Sequence, residues 1–274
     1  MTQLDQIIAT KHGEIAQRKV EKPQSELLDA IAALPRPRNF FHAVTTPTKK
    51  PLNLIAEIKK ASPSAGIIRA DFDPVKIAVT YAQAGADALS VLTDETYFQG
   101  RLDYLKLVRA AVDLPVLRKD FIIDPYQVYE SRAAEADAIL LIAECLETSQ
   151  MIDLQILATE LNMTCLIEVH DLDNLIRVRD HVIGFPLRSY SLLGINNRDL
   201  RTFKTDLGTT LRMSELVADQ RVLVSESGIK TPHDIHKLVD AGVTAVLIGE
   251  TLMRSDDIAG TIAELFAPVE KPGE

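Results

Sequence analysis

Short apolar runs alternate with helix-periodic segments along most of this chain. Eight runs have the length and β-branched character of buried strands: LIAEIK (54–59), ADALSVL (86–92), PVLRK (115–119), ADAILLI (136–142), CLIEV (165–169), YSLLGI (190–195), RVLVSE (221–226) and TAVLIG (244–249). Their C-terminal ends run from Lys59 to Gly249 at an average spacing of about 27 residues, the size of one strand and its crossover helix. Ahead of them, Leu4, Ile7, Ile8 and Ile15 recur at helical spacing, as do Leu27, Leu28, Ile31 and Leu34. Pro23 separates the two sets and PRPR (35–38) closes the second, so two helices are predicted before the first strand. Asp73-Pro74 and Thr231-Pro232 each place a capping side chain before a proline at the first helical position.

One junction recurs. AGADALSVL from Ala84, AEADAILLI from Ala134 and AGVTAVLIG from Ala241 each turn a helix end tightly into an apolar strand. Eight parallel strands with helical crossovers close most naturally into a barrel. The expected architecture is therefore α/β: a single (β/α)8 TIM barrel over residues 51–268, preceded by a helical extension over 1–50. A doubly wound open sheet is the alternative, but its glycine-rich fingerprint is missing after the first strand, where the loop reads KKASPSAG.

Composition narrows the function. With 274 residues, 46% of them hydrophobic, the chain can bury a large core. A formal charge of -9 argues against general affinity for nucleic acid or anionic membranes, while leaving room for a local cationic pocket. The N-terminus has no apolar targeting segment, and no run approaches the roughly 18 apolar residues of a membrane span. A cytoplasmic location is expected. Cys145 and Cys165 lie in or beside apolar runs without CxxC spacing, which suits buried free thiols.

In a barrel the chemistry gathers at the C-terminal strand ends. On the first strand Ile55, Glu57 and Lys59 share one face. The third ends in Lys119-Asp120-Phe121, the fifth in Glu168, the sixth in Asn196-Asn197-Arg198, the seventh in Glu226-Ser227-Gly228 and the eighth in Gly249-Glu250. Two lysines and two glutamates at one mouth can separate into acids and bases. Ser227, Gly228 and Gly249 offer open backbone N–H groups after the last two strands, the usual phosphate position. His233 and His236 stand one helical turn apart with no third ligand, which fits a solvated face better than a metal site. His170 is read as structural and directed away from the Glu168 face.

IAEIKKASPSAGIIRADFDP, VLTDETYFQG, LRKDFIIDPYQVYESRAAEADAILLI, LIEVH, GINNRDLRTFKTDL, SESGIKTPHDI and AVLIGETLMR together resemble the indole-3-glycerol phosphate synthases, over about residues 40–255. The resemblance implies ring closure of 1-(2-carboxyphenylamino)-1-deoxyribulose 5-phosphate with loss of carbon dioxide and water, and no metal or organic cofactor. It makes Lys119 the general acid on the substrate ketone, Glu57 the carboxylate that holds that lysine, and Glu168 the acid/base of the dehydration. Lys59 becomes a lysine that reaches the phosphate and can donate a proton. Asn196, Arg198 and Ser62 correspond to groups near the anthranilate carboxylate and substrate hydroxyls. Ser227, Gly228, Gly249 and Glu250 correspond to the phosphate cradle, the last through its backbone, while Phe98, Phe121 and Leu247 belong to substrate binding. The two leading helices are expected over the barrel mouth. A small phosphorylated substrate is the only implied partner, with the protein a monomer or weak homo-oligomer, and no fused isomerase is expected. The segment HVIGFPLRSYSLL (181–193) departs from the family pattern. A Schiff-base aldolase or isomerase with Lys119 as nucleophile, and a non-catalytic phosphometabolite-binding barrel, are the competing readings.

Overall fold

The computed structural model describes residues 2–182, 191–199, 202 and 204–268. Eight parallel strands form a closed barrel: β1 (Asn53–Ile58), β2 (Ala88–Leu92), β3 (Val116–Lys119), β4 (Ala138–Ile142), β5 (Thr164–Val169), β6 (Ser191–Asn196), β7 (Leu223–Glu226) and β8 (Ala245–Ile248). Each strand pairs with its neighbours in sequence, and β8 returns to β1 with Ile55 opposite Leu247. Every predicted strand run therefore overlaps a barrel strand, with boundaries that differ by one or two residues. The flagged segment 181–193 overlaps residues 183–190, which lie outside the described residues.

The strands are buried on both faces, so they read as continuous apolar runs rather than as alternation. Their aliphatic side chains join those of the surrounding helices in one core. The helix starts follow the expected chemistry: Asp73 accepts from the backbone of Val75 and Lys76, and Thr231 forms a capping box with Asp234.

The recurring junction is a helix exit through one left-handed residue. Gly85, Glu135 and Gly242 take φ of +86°, +67° and +76°, and the next residue donates back to a carbonyl five positions earlier, as Ala86 does to Tyr81 at 3.0 Å. Asn162 (φ 59°) repeats the device before β5. The aspartates of GAD and EAD then tie the barrel bottom together. Asp87 accepts from the Leu54 backbone at 2.7 Å, and Asp137 accepts from the backbones of Val116 and Arg38 at 2.9 and 2.7 Å.

The leading segment differs from expectation. Three helices precede β1, not two: α1 (Gln3–Glu21), α2 (Gln24–Ala32) and the short α3 (Phe40–Thr45). The third is capped by Asn39 and buries Phe40, Phe41 and Val44, aromatic and β-branched residues whose apolar spacing is too short to show a helical period. Only α1 reaches the mouth. The second helix packs on the helix Pro125–Ala133 at the flank of the barrel, so the expectation that both leading helices cover the mouth is corrected for α2.

Candidate active site

A cleft of about 580 Å³ opens at the C-terminal ends of the strands. Its floor is apolar, formed by Leu92, Leu140, Ile142 and Leu247 from the barrel interior. Gln3, Leu4 and Ile7 of α1 roof one side. All fourteen candidate residues line this single cleft: Glu57, Lys59, Ser62, Phe98, Lys119, Phe121, Glu168, Asn196, Arg198, Ser227, Gly228, Leu247, Gly249 and Glu250.

Lys119 stands at its centre. Pleating turns Lys119, Glu168 and Glu226 inward at the ends of β3, β5 and β7. The ammonium is 2.6 Å from Glu168 Oε2 and 2.5 Å from Glu226 Oε2. Burial alone would lower the lysine's pKa, but the charges of Glu168, Glu226 and Glu57 outweigh it and hold the side chain as a cation. The two carboxylates titrate together and divide unequally. Burial pushes both up; Lys119 and His170 nevertheless bring Glu168 below its ordinary value, while burial and the Glu168 charge leave Glu226 raised well above its own.

Two expectations change here. Glu57 does not contact Lys119. Its Oε1 takes the Lys59 ammonium at 2.5 Å, because both residues leave β1 on the same face, and its charge reaches Lys119 only at longer range. His170 does not point away from Glu168. Positions 168 and 170 have the same parity, so the ring returns to the cleft with Nε2 3.3 Å from Glu168 Oε1. Its Nδ1 lies 3.1 Å from Glu144 Oε2, and its backbone N–H donates to Glu144 Oε1 at 2.9 Å.

Glycines make room for the carboxylates. A β-carbon on Gly194 would lie 2.3 Å from Glu226 Oε1, and one on Gly249 would lie 2.3 Å from Glu57 Oε1. Gly249 thus serves the acid of β1 as well as the turn after β8. Ser227 and Gly228 are both left-handed, at φ 65° and 77°, and Asn197 holds the Ser227 turn by donating to the carbonyls of Glu226 and Ser227 at 3.0 and 3.1 Å. Of the two asparagines in INNRD, Asn197 is a buried brace and Asn196 faces the cleft. Asn196 Oδ1 accepts from the Arg198 backbone at 3.0 Å. Arg198 reaches Glu250 Oε2 at 2.9 Å, and Arg254 takes the other oxygen of Glu250 at 3.0 Å.

The loop after β1 folds as a small hairpin, Ala61–Ser62 against Gly66–Ile67. It carries Ser62 to the rim, where Ser64 approaches Arg198 at 3.5 Å. Across the cleft the rings of Phe98 and Phe121 form an apolar wall, with centroids 6.2 Å apart. Cys145 and Cys165 are free thiols, and burial pushes Cys165 up to about 12, so neither has nucleophilic character. His233 is exposed on the helix Pro232–Asp240, away from the cleft.

Glu226 and His170 were legible in principle. Glu226 ends β7 with the inward parity of Val224, and His170 shares the parity of Glu168. Glu144 had no such signal, since it comes from the 3-10 turn Ala143–Cys145 after β4.

Comparisons with known proteins point to one family. The family described as Indole-3-glycerol phosphate synthase matches residues 4–265. An indole-3-glycerol phosphate synthase of Rhodopirellula baltica is 48% identical over 97% of this chain and 100% of its own length. One of Polaromonas naphthalenivorans is 50% identical, covering 96% and 98%. Two solved structures share the fold at low identity. A 3-hexulose-6-phosphate synthase from Salmonella typhimurium superposes with a TM-score of 0.61 at 13% identity, over 78% of this chain and 96% of that one. Tryptophan synthase of Pyrococcus furiosus gives 0.55 at 11%, over 79% and 98%.

Proposed function

The chain belongs to the indole-3-glycerol phosphate synthase family, and on that premise we propose how its residues divide the reaction. The enzyme is a lyase of tryptophan biosynthesis. It converts 1-(2-carboxyphenylamino)-1-deoxyribulose 5-phosphate to indole-3-glycerol phosphate, releasing carbon dioxide and water.

Lys119 is the general acid. As the ring carbon bearing the carboxylate attacks the substrate ketone, negative charge grows on the ketone oxygen, and a cationic donor stabilises it and delivers the proton. Loss of carbon dioxide then returns the bonding electrons to the benzene ring. The new hydroxyl leaves as water after protonation, and Glu168, held ionised by Lys119 and His170, takes the proton whose removal completes the pyrrole. Lys59, oriented by Glu57, stands on the same face to contact the phosphate and to supply the proton for water loss. Arg198 with Ser62 and Asn196 receives the anthranilate carboxylate and the substrate hydroxyls, for which a guanidinium fork is suited. Ser227, Gly228, Gly249 and Glu250 cradle the phosphate through backbone N–H groups, and Phe98, Phe121 and Leu247 enclose the aromatic ring. In this reading residues 1–50 are an extension serving the barrel of residues 51–268, and the protein works in the cytoplasm as a monomer or weak homo-oligomer without a metal, an organic cofactor, nucleic acid or membrane partner.

The observation that carries the proposal is the inward Lys119 ammonium between two buried carboxylates in the cleft. Fluorescence-detected turnover in a chelating buffer tests it. Lys119→Ala is expected to lower kcat by about 10²- to 10⁴-fold with the fold intact. A variant within tenfold of the parent would remove Lys119 from the chemistry.

A further inference from the structure

We propose that Lys11, a residue of the N-terminal helix that lies beneath the cleft surface, is the positioning residue that fixes the aromatic wall of the site. It rests on the reading of Phe98 and Phe121 as the walls around the substrate ring.

Lys11 is 1% exposed, and its ammonium meets three carboxylates: Asp94 at 2.7 Å, Glu14 at 2.8 Å and Asp120 at 3.0 Å. Burial opposes its charge, but Asp120 and Asp94 more than offset that and keep it a cation. A lysine is rarely buried this completely unless its charge is matched. Glu14 belongs to its own helix, whereas the two aspartates belong to the loops that carry the phenylalanines. Asp94 follows β2, and its Oδ1 accepts from the backbone N–H groups of Tyr97 and Phe98 at 2.7 and 3.1 Å. Asp120 follows Lys119, and its Oδ1 accepts from the backbone N–H of Phe121 at 2.9 Å. One ammonium therefore ties together the two carboxylates that set the backbone under the two rings.

The same helix face completes the enclosure. Leu4, Ile7 and Lys11 recur at helical spacing, so the contact that anchors the helix also presents its apolar side to the cleft. Asp120 is held from below as well, by Thr93 Oγ1 at 2.6 Å and the fully buried Arg118 at 3.0 Å. Nothing comparable braces Asp94, whose other carboxylate oxygen finds only Lys11 among the described residues. The Phe98 side of the wall is the side that depends on Lys11.

A wall that contacts the ring and not the phosphate makes a specific demand on binding. Lys11→Met keeps most of the unbranched side chain and removes the ammonium. It is expected to weaken binding of indole-3-glycerol phosphate about tenfold while leaving glycerol 3-phosphate within about twofold, and to raise KM more than it lowers kcat. Asp94→Asn serves as the second variant, since an amide oxygen can still accept from the Phe98 loop but no longer pairs with the ammonium; it should show the same ring-specific loss even if the Lys11 variant does not fold. Equal losses for both ligands, or no loss for either in the folded variants, would overturn the role. Phe98→Ala separates the two levels. If it too leaves product binding unchanged, the aromatic-wall reading itself falls; if it weakens product binding and the Lys11 and Asp94 variants do not, only the positioning role falls.

Discussion

His170 shows how one residue can take a different role from the one its surroundings in the sequence suggest. Its imidazole sits between Glu144 and Glu168, 4% exposed, with the Lys119 charge opposing its protonation. Burial lowers its pKa, but the Glu144 hydrogen bond and the charges of Glu168 and Glu144 more than reverse that, so the folded value lies above the ordinary one. A raised histidine stabilises the fold fully below the unfolded value of about 6.5, and that contribution is lost as pH rises through the folded value. The thermal-stability gap between the parent and His170→Asn should be largest on the acid side and shrink as the pH rises. A gap that stays constant from about pH 5.5 to 9 would show that the ring titrates as it does in the unfolded chain, and one that narrows toward acid would show that the fold holds it neutral. The orientation of Glu168 then owes more to packing than to the imidazolium.

At the scale of elements, the helix-to-strand turns repay attention because the same geometry is built from different residues. Gly85 and Gly242 adopt the left-handed conformation without penalty, while Glu135 and Asn162 adopt it with a side chain. Asn162 is exposed, and its replacement changes little except the backbone preference. Asn162→Ala is expected to cost about 1 kcal/mol in denaturant unfolding, and Asn162→Gly to cost nothing or to stabilise. Equal stability of the alanine and glycine variants would show that the turn relaxes out of the left-handed region. The eight strand runs and the capped helix starts were legible because each depends on local pattern. The helix Phe40–Thr45 was not, since six residues carry too little period and its stability comes from burying Phe40 and Val44 against the barrel.

The whole molecule is acidic, yet its mouth is rich in cations. Lys59, Lys119, Arg198, Lys230 and Arg254 line the cleft beside Glu57, Asp120, Glu168, Glu226 and Glu250, so the mouth is formally balanced in a chain whose formal charge is -9. A substrate bearing both a phosphate and a carboxylate is drawn to that local field rather than to the surface at large. Raising ionic strength from about 0.05 M to 0.5 M, which shortens the Debye length from above 10 Å to well below it, should raise KM several-fold and leave kcat within about twofold. A KM that ignores salt would place recognition in short-range hydrogen bonds alone.

Pattern along the chain was sufficient for the barrel, for the strand ends that carry the chemistry and for the family, because pleating sends alternate residues inward and chemistry collects where strands stop. All fourteen candidate residues reach the cleft for that reason. Which charge faces which was decided only in three dimensions. Lys119 chose Glu168 and Glu226 over Glu57, Gly249 and Gly194 cleared space for carboxylates from neighbouring strands, and Lys11 crossed from the first helix to aspartates more than eighty residues away in sequence. Such pairings depend on the closure of the barrel and the docking of a helix on its mouth, and a periodic sequence carries no record of distances across a closed sheet.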